Sequence, residues 1–283
     1  MIKIISDSTC DLPQALIEKH HISILPLHIH LGEQEFEDGI EISPDEIYAW
    51  ADANETTPKT SAFSISDAMD LFKPYIEGGD ELICFSISNS MSASGRVMRL
   101  AAEELEAEDR VHVIDSANLS TGIALLILEA AEMIENGSTA SDIVARMEEL
   151  KPLVRSSFVV DTLTYLHRGG RCSSVAALAG GLLRLHPRIS VENGAMNAGK
   201  KYRGKMSSVM LSYVQDMEEA LKAAKRNRVF ITHSGCDEEI LASVQQYLES
   251  LQVFDEILLA RAGGVISSHC GPGTLGVLFI AGE

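Results

Sequence analysis

LICFSISNSMSASG, Leu82 to Gly95, is an apolar run that turns into a chain of alternating serines: Ser86, Ser88, Ser90, Ser92 and Ser94. Its first half, extended back to ELICFSIS, reads as a buried strand; its second half opens SASGRVMRLAAEELEA, which has helical spacing. A strand that feeds a helix through a short polar loop is the repeating unit of a parallel α/β sheet. The serines themselves admit three roles: helix cap, anion cradle at a helix start, or nucleophile.

The unit repeats on both sides. Upstream, IKIIS is a strand ending at SDST, with Asp11 placed as a helix N-cap and Pro13 in the first turn. ISILPLHIHLG and QEFEDGIEIS read as strands, with a turn at Asp38-Gly39, and Ser43-Pro44-Asp45-Glu46 caps the next helix. KTSAFS precedes ISDAMDLFKPYI, a helix with Ser66-Asp67 near its cap. Downstream, RVHVIDS is a strand, and TGIALLILEAAEMIENG and SASDIVARMEELK are helices.

A second region begins near Arg155. It carries SSFVVD, DTLTYLHRGGR, the apolar helix VAALAGGLLRL, a hairpin around Asn193-Gly194 and a helix over MSSVMLSYVQDMEEALKAAKR. RVFITHS, EILLARAG and TLGVLFIAG are strands, and EEILASVQQYLES is a helix. The expectation is two α/β domains, residues 1–153 and 154–283, the first with a mainly parallel sheet flanked by helices, and a ligand cleft between them.

Composition narrows the function. The 283 residues carry 23 Lys plus Arg against 41 Asp plus Glu, a formal net charge of −18. Such a surface repels phosphate backbones and anionic membranes, which argues against nucleic-acid or stable membrane partners. MIKIISDSTC lacks the form of a signal peptide and no apolar run is long enough to span a bilayer, so a cytoplasmic location is expected. Five cysteines, Cys10, Cys84, Cys172, Cys236 and Cys270, form no CxxC pair and read as reduced, buried thiols.

Known catalytic patterns are missing. There is no HExxH, no P-loop and no GxSxG, and the His28/His30 pair has no downstream ligand at a recognisable spacing, so no metal or cofactor is expected. Pro272 removes one donor from a nest at HCGPG. What remains is a set of hydroxyl-bearing loops at strand ends: Thr60, Ser61 and Ser64 in KTSAFS, the serines of SISNSMSASG, Ser116 in VIDS, and His269 beside Ser268. Neutral donors with one imidazole suit a carboxylate. A serine acyl hydrolase using Ser92 with His269 is the alternative.

SDSTCDLP, DG, KTSAFS, SISNSMSASG, IDS, LTYLHRGGR and HCGPGTLGV, in this order from the first strand to the last, resemble the motifs of the DegV family. The resemblance covers essentially the whole chain and is most specific in YLHRGGR with GPGTLGV. It implies two α/β domains enclosing a long-chain fatty acid such as palmitate. It implies a bacterial, non-catalytic carrier that presents the acyl carboxylate to a separate fatty acid kinase. It places the carboxylate on Thr60, Ser92 and His269, with Ser61 a neighbouring candidate. Arg171 and Arg203 are the charges expected near the headgroup or the partner. The chain departs from the family pattern in three places: no Pro follows the Thr60-Ser61 pair, Ala93 replaces a Gly, and Arg188 stands where an apolar residue is expected.

Overall fold

The computed structural model describes residues 1–172 and 185–282. The apolar stretch VAALAGGLLRL therefore lies, except for its last residue, outside the described residues. The strands in chain order are β1 (Ile2–Asp7), β2 (Ser23–Leu25), β3 (His28–Leu31), β4 (Gln34–Glu37), β5 (Lys59–Ser61), β6 (Glu81–Ser86), β7 (Val111–Asp115), β8 (Val154–Val159), β9 (His186–Glu192), β10 (Ala195–Tyr202), β11 (Ala224–His233), β12 (Glu256–Arg261) and β13 (Leu275–Ala281).

They form a four-stranded sheet in the order β2-β1-β6-β7, a three-stranded sheet β4-β3-β5 and a six-stranded sheet β10-β9-β8-β13-β11-β12. Every pairing in the first sheet is parallel. The three-stranded sheet is antiparallel. In the six-stranded sheet only β11 with β12 is parallel. The fold is thus mixed α/β, with a parallel N-terminal sheet flanked by helices. Because β1, β6 and β7 run the same way in near register, Asp7, Ser86 and Asp115 reach one edge together. The loops that follow them share that edge.

The helix Thr121–Glu135 explains its own sequence. Residues Thr121 to Ala131 are all buried, so the segment lacks a polar face. It packs on β1 and β6 on one side and on β8 and β13 on the other. A single apolar core accordingly runs from Ile83 and Phe85 through Ile123 and Ile127 to Phe158 and Leu278. Two further cores cover the outer faces of the parallel and six-stranded sheets. Lys225 and Asn227 meet Glu129, and Arg228 meets Glu132, at the rim of the same helix.

Several local expectations are corrected. Asp11 does not cap the helix Gln14–Lys19: it closes the 3-10 turn Ser8–Cys10 with φ 51°, and Pro13 takes the N-cap position. Pro26 splits ISILPLHIHLG into two strands. The cap of the helix Ile65–Glu77 is Ser64, in a reciprocal pair with Asp67, rather than Ser66. The helix expected over residues 206–226 breaks at Asp216 and Met217 and gives way to β11 at Ala224. GVISSHC forms a helix, Gly264–Cys270, between two strands. Arg188 sits on the β9 face away from the central core, with its guanidinium 5.8 Å from the Tyr213 ring centre.

Candidate functional site: a lined cavity with one polar corner

The alternating serines divide the work of their loop. Ser86 is buried, and a Cβ on Gly95 would come within 2.5 Å of its Oγ, so the helix start can close onto β6 only with glycine there. Ser88 donates to the Gly194 carbonyl at 2.7 Å and Ser90 donates to the same oxygen, which ties the loop to the tip of the β9–β10 hairpin. Ser92 accepts from the Ser94 backbone N–H at 3.3 Å, and its hydroxyl pairs with that of Ser94 at 2.8 Å. The N-cap residue is Ala93, not Ser92 or Ser94, at φ −86° and ψ 0°. Any L-residue adopts that backbone, so the methyl in place of a glycine is accommodated.

Thr60 and Ser61 are neighbours on β5 and so face opposite ways. Thr60 lies opposite the fully buried Ile29 and its Oγ1 is 2.8 Å from His269 Nε2. Ser61 shares its face with His28 and His30 and its Oγ is 2.9 Å from His30 Nε2. The two sequence candidates therefore have different environments, although both border the cavity. His269 comes from the helix Gly264–Cys270, 209 residues along the chain from Thr60.

Thr60 and His269 meet at a polar corner of a cavity of about 200 Å³. Thr60, Ser61, Ser92, His269 and Arg171 border it, and Leu27, Ile87, Met91, Leu119, Met196 and Ile266 supply apolar wall. A smaller hollow of about 20 Å³ shares Leu119, Ile266 and Cys270 and continues toward Phe158 and Leu278. On the other side, a wide groove of about 650 Å³ shares Met91, Ser92, Ala93 and Arg171 with the cavity and adds Arg96 and Arg99. The cavity thus adjoins a basic surface groove along Ser92 and Arg171, and the small hollow along Leu119, Ile266 and Cys270. Arg203 is exposed after β10 and is not among the residues bordering the cavity.

Burial, and secondarily the Arg171 guanidinium, pushes His269 down to about 4. The ring is neutral at pH 7 and carries one N–H. Its Nδ1 has no hydrogen-bond partner among the described residues, and a side chain on Gly169 would collide with that atom. The first glycine of HRGGR is the surface on which the imidazole rests. Ser92, bonded to Ser94, and His269, bonded to Thr60, do not bond each other.

Other ionisable clusters give no metal centre: among the described residues no group of three or more His, Cys, Asp or Glu could hold an ion. None of the five cysteines forms a disulfide among the described residues, and four are buried while Cys236 is partly exposed. No helix among the described residues is long and apolar enough to cross a membrane. Asp7 accepts from Thr9 and from the Ile87 N–H, and so fixes the loop after β1 to the serine loop. The apolar wall is not legible in the sequence, because Leu27, Ile87, Met91, Leu119, Met196 and Ile266 come from five separate segments of the chain.

A mixed α/β fold thus encloses a cavity bordered by hydroxyls and an imidazole as well as by apolar side chains. The model of the family described as uncharacterised protein, DegV family, matches residues 1–282. A DegV domain-containing protein of Clostridium perfringens is 33% identical over 281 residues, covering 99% of this chain and 98% of the relative. The chain belongs to the DegV family.

Solved structures agree. A DegV family protein from Thermus thermophilus, described by its fatty acid binding, superposes with a TM-score of 0.90 at 31% identity and 99% coverage of both chains. A stearic acid-binding protein from Eubacterium ventriosum superposes with a TM-score of 0.86 at 31% identity, covering 99% of this chain and 98% of the other.

Proposed function

We propose that this protein is a non-catalytic carrier that holds one long-chain fatty acid, such as palmitate, and presents its carboxylate to a separate fatty acid kinase. The observation that carries the reading is the Thr60–His269 hydrogen bond at the polar corner of an otherwise apolar cavity. With the neutral imidazole donating its one N–H from Nε2 to Thr60 Oγ1, the Thr60 and Ser92 hydroxyls are left as donors for a carboxylate that has left water. Such donors are needed because an unpaired buried charge costs several kcal/mol. Arg171 supplies positive charge at the mouth. On the apolar side, removing ~14 methylenes from water at ~0.8 kcal/mol each gives on the order of 11 kcal/mol of gross driving force. Ordering the ligand offsets a large share of it.

The groove lined by Arg96, Arg99 and Arg171 supports presentation to a partner. A local basic patch on a chain of net charge −18 is where an acidic or phosphate-bearing face would dock. Fatty acids described for solved relatives, stearic acid among them, support the ligand class. Soluble, cytoplasmic operation follows from this role.

The test is native mass spectrometry of the protein purified without added lipid, then stripped and reloaded with palmitate. One bound fatty acid per chain is expected. Ser92→Ala is expected to reduce retention by roughly ten-fold, about the value of a hydrogen bond to a charged group, with an unchanged melting temperature. A chain that neither carries nor takes up fatty acid overturns the proposal.

A further inference from the structure

We infer that Asp11 and Asp38 are positioning residues for the polar corner: together they hold the first turn of the helix Gly264–Cys270 and thereby set His269 against Thr60. The inference rests on the fatty acid-binding reading of the cavity.

The helix cannot hold itself. It has seven residues, begins at the second of two glycines, and its own N-cap residue, Gly263, offers no side chain. A helix of that length is unstable alone, because nucleation is costly and few internal bonds follow it. The N–H groups of the N-cap residue and of the first helical residue are instead taken by carboxyl groups from the far end of the chain. Asp11 Oδ1 accepts from Gly263 N–H at 2.8 Å, and Asp38 Oδ1 accepts from Gly264 N–H at 2.7 Å. The second oxygen of each acid is also held: Ser120 donates to Asp11, and Ser8 donates to Asp38 at 2.7 Å.

The contact leaves no slack. A Cβ at Gly264 would come within 2.5 Å of Ile29 Cδ1 and within 2.8 Å of both Asp38 Oδ1 and Ile47 Cδ1. Asp38 in turn belongs to the frame that presents Thr60. Its N–H donates to the Leu27 carbonyl at 2.9 Å. The neighbouring strand β3 pairs Ile29 with Thr60. One carboxylate thus refers the imidazole to the strand that carries its partner, and the other refers it to the loop after β1. His269 lies five residues beyond Gly264, about 7.5 Å along the axis, so a tilt at the first turn is carried to the ring.

All three acids near this point, Asp7, Asp11 and Asp38, are buried and their pKa values are raised, first by desolvation. Buried carboxyl groups are costly unless their oxygens are used. Here Asp11 and Asp38 use theirs on the helix that bears His269, and Asp7 uses its own on Thr9 and Ile87.

The experiment has two readouts. In the lipid-free chain, labelled with 15N-histidine, the ring signal of His269 is recorded at pH 7 for Asp38→Ala, Asp11→Ala and the two Asn variants. Both Ala variants are expected to displace that signal, and the Asn variants, which keep one acceptor and one polar partner each, to restore it. Palmitate affinity is then measured with and without His269→Ala. Asp38→Ala is expected to weaken binding about ten-fold in the unaltered background and by less than about two-fold when His269 is already gone. If the Ala variants do not fold, Ser8→Ala, which frees the second oxygen of Asp38, is expected to displace the signal in the same sense. An unmoved ring signal, or equal losses in the two backgrounds, overturns the positioning role. Should the unaltered chain take up no palmitate, the lipid reading fails, and the ring signal alone decides the role of the two acids.

Discussion

His269 loses its charge on folding while Asp7 and Asp11 keep their protons, and the two effects oppose each other in pH. Burial moves Asp7 up to about 6 and Asp11 up to about 8, and moves His269 down to about 4. In the unfolded chain the carboxyl groups ionise near 4 and the imidazole near 6.5. Between about pH 4 and 6.5 the unfolded histidine holds more protons than the folded one, so this group alone makes stability rise with pH. Asp11 acts in the reverse sense from about pH 4 to 8, where the folded form holds the proton and the unfolded form has lost it. Above pH 6.5 the histidine no longer contributes and Asp11 still does. The melting temperature of the lipid-free protein is therefore expected to fall from pH 6.5 to 8. Asp11 contributes at most about 1.4 kcal/mol per pH unit to this slope. Asp11→Asn, which has no proton to lose, should flatten it. A scan by calorimetry across that window checks the sign, and equal slopes in the two proteins would contradict it.

The β9–β10 hairpin is the element whose placement depends most on single hydroxyls. Asn193 and Gly194 both have positive φ, 51° and 78°, the turn that an Asn-Gly pair favours between twisted strands. Its tip is held by Ser88 and Ser90 on the Gly194 carbonyl, and Met196 just beyond borders the cavity. Replacing both serines by alanine is expected to cost about 1–2 kcal/mol and to raise amide hydrogen exchange around Gly194 and Met196. Exchange unchanged from the parent protein would show that packing alone fixes the hairpin. The turn was legible in the sequence and its docking was not, since hydroxyl alternation in residues 86–94 says nothing of a carbonyl about a hundred residues away. The same limit hid the helix Gly264–Cys270. GGVISSHC has two glycines and β-branched residues where a helix should start, and the acids that secure it are 226 and 252 residues distant. Strand–helix alternation and the Ser43–Glu46 cap were legible because the forces behind them act within a few residues.

At the scale of the whole molecule, the cavity lies where the core between the two larger sheets is incomplete. The helix Thr121–Glu135 fills most of the gap, and Leu119, just before it, stands with Ile266 and Cys270 between the main cavity and the small hollow behind. Phe158 on β8 and Leu278 on β13 close that hollow from the six-stranded sheet. Phe158 is only 5% exposed and belongs to the continuous core, so its ring is both support and end wall. Truncation to alanine therefore has two consequences of opposite sign. Stability should drop by about 3–5 kcal/mol, the usual cost of removing a buried aromatic ring. The hollow should open toward the main cavity, and a longer acyl tail can recover part of the loss by occupying it. With a set of saturated fatty acids offered together, Phe158→Ala is expected to retain longer chains than the parent protein and to gain more in melting temperature from them. Ligand stabilisation scales with affinity, so thermal shift and extracted-lipid composition must agree. An unchanged chain-length profile in a folded Phe158→Ala protein would place the tail elsewhere and remove the hollow from its path.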